Sequence, residues 1–97
     1  METEVIEPPS YLDGAKVLKW CWSGQYPFGY MGNKEDPDSV AVYGLAICEY
    51  ETHSSLYRFS CDKNWEVVND SMEVSIAGAI ENIPDQYKNV DRIWLSK

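Results

Sequence analysis

The chain has 97 residues, and its sixteen acidic side chains against eight basic ones give a formal net charge of −8. That length makes a single domain able to bury about 60–65% of the surface its unfolded form exposes, so neither a metal nor a disulfide is needed for folding. The charge opposes DNA, RNA and anionic lipid, which are bound through Lys and Arg contacts to phosphate, and no run approaches the roughly 18 apolar residues that span a bilayer.

Residues 1–13 carry Glu2, Glu4, Glu7 and Asp13 with no basic side chain and hold a Pro8-Pro9 pair. They read as a flexible acidic N-terminal arm ahead of one domain over residues 14–97. This start lacks the basic residues and apolar run of a signal peptide, so the expectation is a cytoplasmic protein. Residues 15–22 alternate as a strand does, with Leu18, Trp20 and Trp22 on one face and Val17, Lys19 and Cys21 on the other. Residues 40–51 are apolar on both faces and are expected to form the central strand. A polar turn holding His53 leads into an antiparallel strand at residues 56–61, with Tyr57, Phe59 and Cys61 facing together. Asp62-Lys63-Asn64 makes the next turn, because Asp and Asn bond to nearby backbone and tolerate unusual dihedrals. A short strand at residues 65–68 follows.

Asn69, Asp70 and Ser71 then offer cap acceptors, with Glu73 as a capping-box partner and Ser75 as the rival cap. Ile76, Ala77, Ile80 and Ile83 recur at helical spacing, which predicts a main helix over residues 71–83 that ends at Pro84. Residues 90–95 read as a last strand. The fold class is therefore α+β: an antiparallel sheet of four to five strands in the order β-β-β-β-α-β, with the one main helix packed on one face.

Catalytic patterns are scarce. Cys21, Cys48 and Cys61 sit in apolar, strand-like runs without a C-x-x-C pair, so they read as buried thiols of a reducing compartment. His53 is the sole histidine, and a zinc site would require it to converge with all three cysteines. Neither a P-loop nor a calcium loop is present. The expectation is a noncatalytic protein without metal or cofactor.

The run Phe59-x-Cys61-Asp62-x-Asn64-Trp65-Glu66-Val67, with Asp70 and a helix opening at residues 75–79, resembles small, mostly bacterial cytoplasmic proteins of unassigned function. It is also similar to small immunity proteins of polymorphic-toxin systems. The resemblance covers about a third of the chain; it implies the fold and a bacterial cytoplasmic setting and carries over no catalytic residue. Pro84 departs from the longer uninterrupted helix of such proteins.

A minimal fold does not require the stretch at residues 23–39, SGQYPFGYMGNKEDPDS, which is long for a connection between strands. Its aromatic and acidic residues give two readings. The segment is either a flap that closes the core or a partner-binding surface in which Tyr26, Phe28, Tyr30 and Met31 are anchors and Glu35, Asp36 and Asp38 form an acidic rim. The latter suits a basic protein surface. The functional expectation is thus an acidic protein-interaction module, an immunity or inhibitor protein that binds a basic partner; the alternative is a small structural module that self-associates as a homodimer.

Overall fold

The computed structural model, which describes residues 5–32, 37–51 and 55–97, begins its sheet at the Asp13-Gly14 turn. Both residues have positive φ, 49° and 81°, the paired left-handed conformations that a two-residue hairpin loop needs. They join β1 (Tyr11–Leu12) to β2 (Ala15–Trp22). The chain continues through β3 (Gly29–Met31), β4 (Val40–Val42), β5 (Gly44–Glu49), β6 (Leu56–Cys61) and β7 (Val67–Glu73). It closes with α1 (Ile76–Glu81), a 3-10 turn (Asp85–Asn89) and β8 (Leu95–Ser96). The main sheet has the order β1-β2-β5-β6-β7, with β8 also against β2, and β3 and β4 form a separate hairpin. All of these pairings are antiparallel.

One register shift decides the layout of both faces. Val17 pairs with Cys48 and Lys19 with Ile47, so β2 spends two steps where β5 spends one. This bulge at Leu18 breaks strict alternation. It turns Ala15, Val17 and Trp20 to one face, where they join Ala46, Cys48, Phe59, Cys61 and Trp65. Cys21 points to the other face, with Phe28, Val42, Leu45, Ile83 and Tyr87. The sequence reading that set Leu18 with Trp20 and Val17 with Cys21 is corrected by that single inserted residue. The predicted strand at residues 40–51 is likewise divided at Tyr43: β4 belongs to the small hairpin and β5 to the main sheet.

The expected α+β layout, with one main helix over residues 71–83 laid on the sheet, is overturned. Asn69, Asp70 and Ser71, which have the chemistry of helix caps, instead pair with Ser60, Phe59 and Arg58 as part of β7. An open edge on β6 offers their backbone a full ladder, and tertiary pairing outweighs a local capping preference. The helix that remains spans six residues. Ser75, the rival cap, is the one used: it has extended backbone at φ −154°, and its side chain accepts from the Gly78 amide at 2.9 Å. Among the described residues the structure is accordingly a curled, mostly antiparallel β fold with one short α-helix. The strand expected at residues 90–95 is confined to Leu95–Ser96.

Residues 5–12, read as part of the arm, lie on the domain. Pro8 and Leu12 are buried, the Val17 amide donates to the Ser10 carbonyl, and Trp65 Nε1 donates to the Ile6 carbonyl at 3.0 Å. No helix among the described residues is long and apolar enough to cross a membrane.

Candidate functional site

The aromatic stretch at residues 23–39 is divided between core and surface by the β3–β4 hairpin. Gly29, Tyr30 and Met31 pair with Val42, Ala41 and Val40. Alternation therefore turns Met31 and Val42 inward and leaves Tyr30 and Ala41 on the outer face. Phe28, 2% exposed, is sealed in the core, where its ring lies 6.3 Å from that of Tyr87. Met31 is half-buried, and its Sδ accepts from the Tyr87 hydroxyl. Tyr26 is 69% exposed and Asp38 is exposed; Glu35 and Asp36 lie outside the described residues. Of the seven residues expected at the surface, Phe28 is thus a core residue, and Tyr26, Tyr30, Met31 and Asp38 remain accessible in whole or part.

The side-chain amide of Gln86 fastens the hairpin. Its Oε1 accepts from the Tyr30 amide at 3.0 Å and its Nε2 donates to the Tyr30 carbonyl at 3.2 Å. Both backbone groups of Tyr30 are met as a neighbouring strand would meet them. Gly29 makes room for this contact, since a Cβ there would lie 2.7 Å from Gln86 Cδ.

Across from β4 stands the Asp62 turn. Asp62 Oδ1 accepts from the amides of Asn64 and Glu66 at 2.8 and 3.0 Å, and the Asp62 carbonyl accepts from the Trp65 amide at 3.0 Å. This closure holds Trp65 at φ 62°, a conformation costly for a bulky side chain. The Trp65 ring then packs over Gly44, where a Cβ would lie 2.6 Å from it. It stands edge-on to Trp20 at 6.1 Å and tilted to Trp22 at 5.7 Å. Trp22 in turn stacks on Tyr43 at 5.7 Å.

Between β4 and the Asp62 turn lies a groove of about 360 Å³, lined by residues 39–41, Tyr43 and residues 62–64. It brings together two segments that the sequence presents as separate: the end of the long aromatic stretch and the acidic turn. The Tyr43 ring and the outer face of β4 supply apolar wall, while Asp62 and Asn64 supply hydrogen-bonding edges and Lys63 a single cation. Such a surface can seat a side chain that has an apolar stem and a polar or cationic end. The participation of Tyr43 and of the Trp22 stack behind it has no local signature, because both residues also fit the strand pattern. The Asp62-x-Asn64 turn is readable locally, but its position opposite β4 is not.

The thiols are poorly suited to chemistry. Burial pushes Cys21 and Cys48 up to about 12 and Cys61 higher still, so each stays protonated and a weak nucleophile at neutral pH. Among the described residues no group of three His, Cys, Asp or Glu side chains converges as a metal site. His53 lies outside the described residues.

No protein-family model matches the chain, and no curated protein or solved structure is significantly similar to it.

Proposed function

We propose that this chain is a noncatalytic protein-interaction module that receives a basic partner at the groove between β4 and the Asp62 turn, with Tyr30 on the adjoining hairpin surface and Tyr26 exposed in the bend that precedes it. The groove carries the reading: its wall includes the Tyr43 ring, its hairpin side is pinned by Gln86, and it sits on a chain of net charge −8. Aromatic anchors supply contact area at little entropic cost, and the acidic field speeds encounter with a positive surface. In its finer form, the proposal makes the chain an immunity or inhibitor protein, consistent with the resemblance of residues 59–67 to such proteins. The experiment is retention of proteins from an extract of the cells that carry the gene by immobilised wild type, Tyr30→Ala and Asp38→Asn, followed by kinetics with the purified partner. Support is a basic partner that dissociates faster from Tyr30→Ala and associates more slowly with Asp38→Asn, with a weaker salt dependence. Unchanged kinetics for both variants sink the site.

A second reading, self-association, is favoured by one observation. Val5, Ile93 and Leu95 are 61%, 74% and 41% exposed around a second groove of about 280 Å³ that Trp22 also lines. Sedimentation at rising concentration tests it; a monomer at high micromolar concentration removes it.

A further inference from the structure

The two edges of the main sheet are finished differently. On one side the outer flank of β2 is covered in succession by β1 and β8, two strands of two residues each. Short terminal strands are a common way of blunting an edge. On the other side β7 runs for seven residues, pairs only with β6 among the described strands, and so leaves a long flank of backbone donors and acceptors without a strand partner.

The side chains along β7 select among occupants of that flank. Asp70 and Met72 pair with Phe59 and Tyr57 and so share their face; both are exposed, Met72 to 64%. On the opposite face Glu73 is already engaged. It receives Ser71 Oγ at 3.4 Å and Asn82 Nδ2 at 3.3 Å, and lies 3.8 Å from the guanidinium of Arg58, which also donates to the Ala79 carbonyl. Asp70 is therefore the carboxylate that β7 presents to an incoming strand. A second copy of this chain fits poorly. Antiparallel pairing about the midpoint of β7 sets Asp70 opposite its own counterpart, and each copy brings a net charge of −8, an arrangement that like-charge repulsion disfavours.

We infer that the outer edge of β7 is a strand-addition site for an extended, basic polypeptide segment that carries Lys or Arg opposite Asp70 and an apolar residue two positions away, beside Met72. Main-chain hydrogen bonds supply the affinity, and the alternate side chains supply the selectivity. The inference does not depend on the β4 groove, and either site can fail without the other.

The test uses the full chain and a twelve-residue peptide of repeating Lys-Thr-Val-Thr, the Lys-Val peptide, whose Lys and Val lie two positions apart on one face; its Glu-for-Lys counterpart, the Glu-Val peptide, and a Lys-Val peptide N-methylated at every residue are the controls. Amide hydrogen exchange and chemical shifts are read residue by residue. The Lys-Val peptide is expected to slow exchange along Val67–Glu73 and to shift Met72. The N-methylated peptide, which keeps the charge and loses backbone donors, is expected to do neither. Asp70→Asn is expected to weaken Lys-Val binding about threefold to fivefold, and Asp70→Lys to transfer the preference to Glu-Val; unchanged far-UV circular dichroism of each variant shows that the strand is kept. Equal binding of the N-methylated peptide, or perturbation confined to the β4 groove, overturns the inference. Protection of β7 in a dimer formed without peptide overturns the choice of occupant.

Discussion

The two faces of the main sheet are closed by different means. On the Trp65 face, rings do the closing: Trp20, Trp22, Trp65 and Phe59 pack with Val17, Ala46, Cys48 and Cys61, and one residue held at positive φ inserts the central indole. On the opposite face, segments distant in sequence are laid over the sheet and stitched by polar groups. Gln86 grips Tyr30, the Tyr87 hydroxyl lies 3.3 Å from Ser60 Oγ and 3.4 Å from Met31 Sδ, and Arg92 donates to the carbonyls of Tyr87 and Val90. Buried aromatic area contributes more to stability than individual hydrogen bonds do, whereas hydrogen bonds fix a segment in one place. The first face therefore holds the denser cluster of rings, and the second, which also buries Phe28, Val42, Leu45, Ile83 and Tyr87, sets the position of the hairpin and its groove.

Trp65→Ala should give the largest effect. It empties the centre of the ring cluster and leaves the Ile6 carbonyl without its donor, and a loss of about 3–5 kcal/mol is expected in urea denaturation. A loss smaller than that of Tyr87→Ala would reverse the comparison. Gly44→Ala should follow at about 1–3 kcal/mol, because the added methyl meets the Trp65 ring while the opposite face is untouched. Pairing it with Trp65→Ala should relieve most of the added cost, and a double-mutant cycle measures that relief.

The thiols sharpen the comparison through pH. Their native values are raised above the ordinary 9.0, so above that pH the unfolded chain releases protons that the native state retains. Stability from these groups is complete below about pH 9 and is lost as pH climbs toward 12, by about 1 kcal/mol per thiol for each pH unit. The Trp65 face holds Cys48 and Cys61 and the other face Cys21. Replacing the first two by Ala should flatten the alkaline slope more than replacing the third, as thermal denaturation across pH 8–11 reads directly. Gln86→Ala should have the smallest effect on stability, about 1 kcal/mol. Its clearer signature is faster hydrogen exchange at the Tyr30 amide, and an unchanged rate there would show that the hairpin is held by its core residues alone.

Much of the sheet was legible because period-two patterning survives wherever a strand is buried on one or both faces. Residues 15–22 and 56–61 were read as strands and are β2 and β6. The segment at residues 69–73 misled because Asn, Asp, Ser and Glu satisfy backbone groups equally well at a helix start and along a sheet edge; only the presence of β6 alongside decides between them. The candidate site was half legible. The aromatic stretch stood out by its length and composition, but Phe28 and Tyr30, two positions apart, would share a face in one continuous strand, and only the start of β3 at Gly29 puts the first in the core and leaves the second outside.

By itself the sequence determined a small acidic chain with strands at residues 15–22 and 56–61 and thiols set in apolar runs, because these follow from charge count and local periodicity, whereas the Asp13-Gly14 reversal was not read from it and the helix over residues 71–83 gave way to β7. Tertiary structure alone decided that a bulge at Leu18 would reassign the faces of β2, that Gln86 would stand in for a strand beside Tyr30, and that the Asp62 turn would face β4. Each is a contact between residues far apart in the chain, and its energy exists only after the sheet has brought them together.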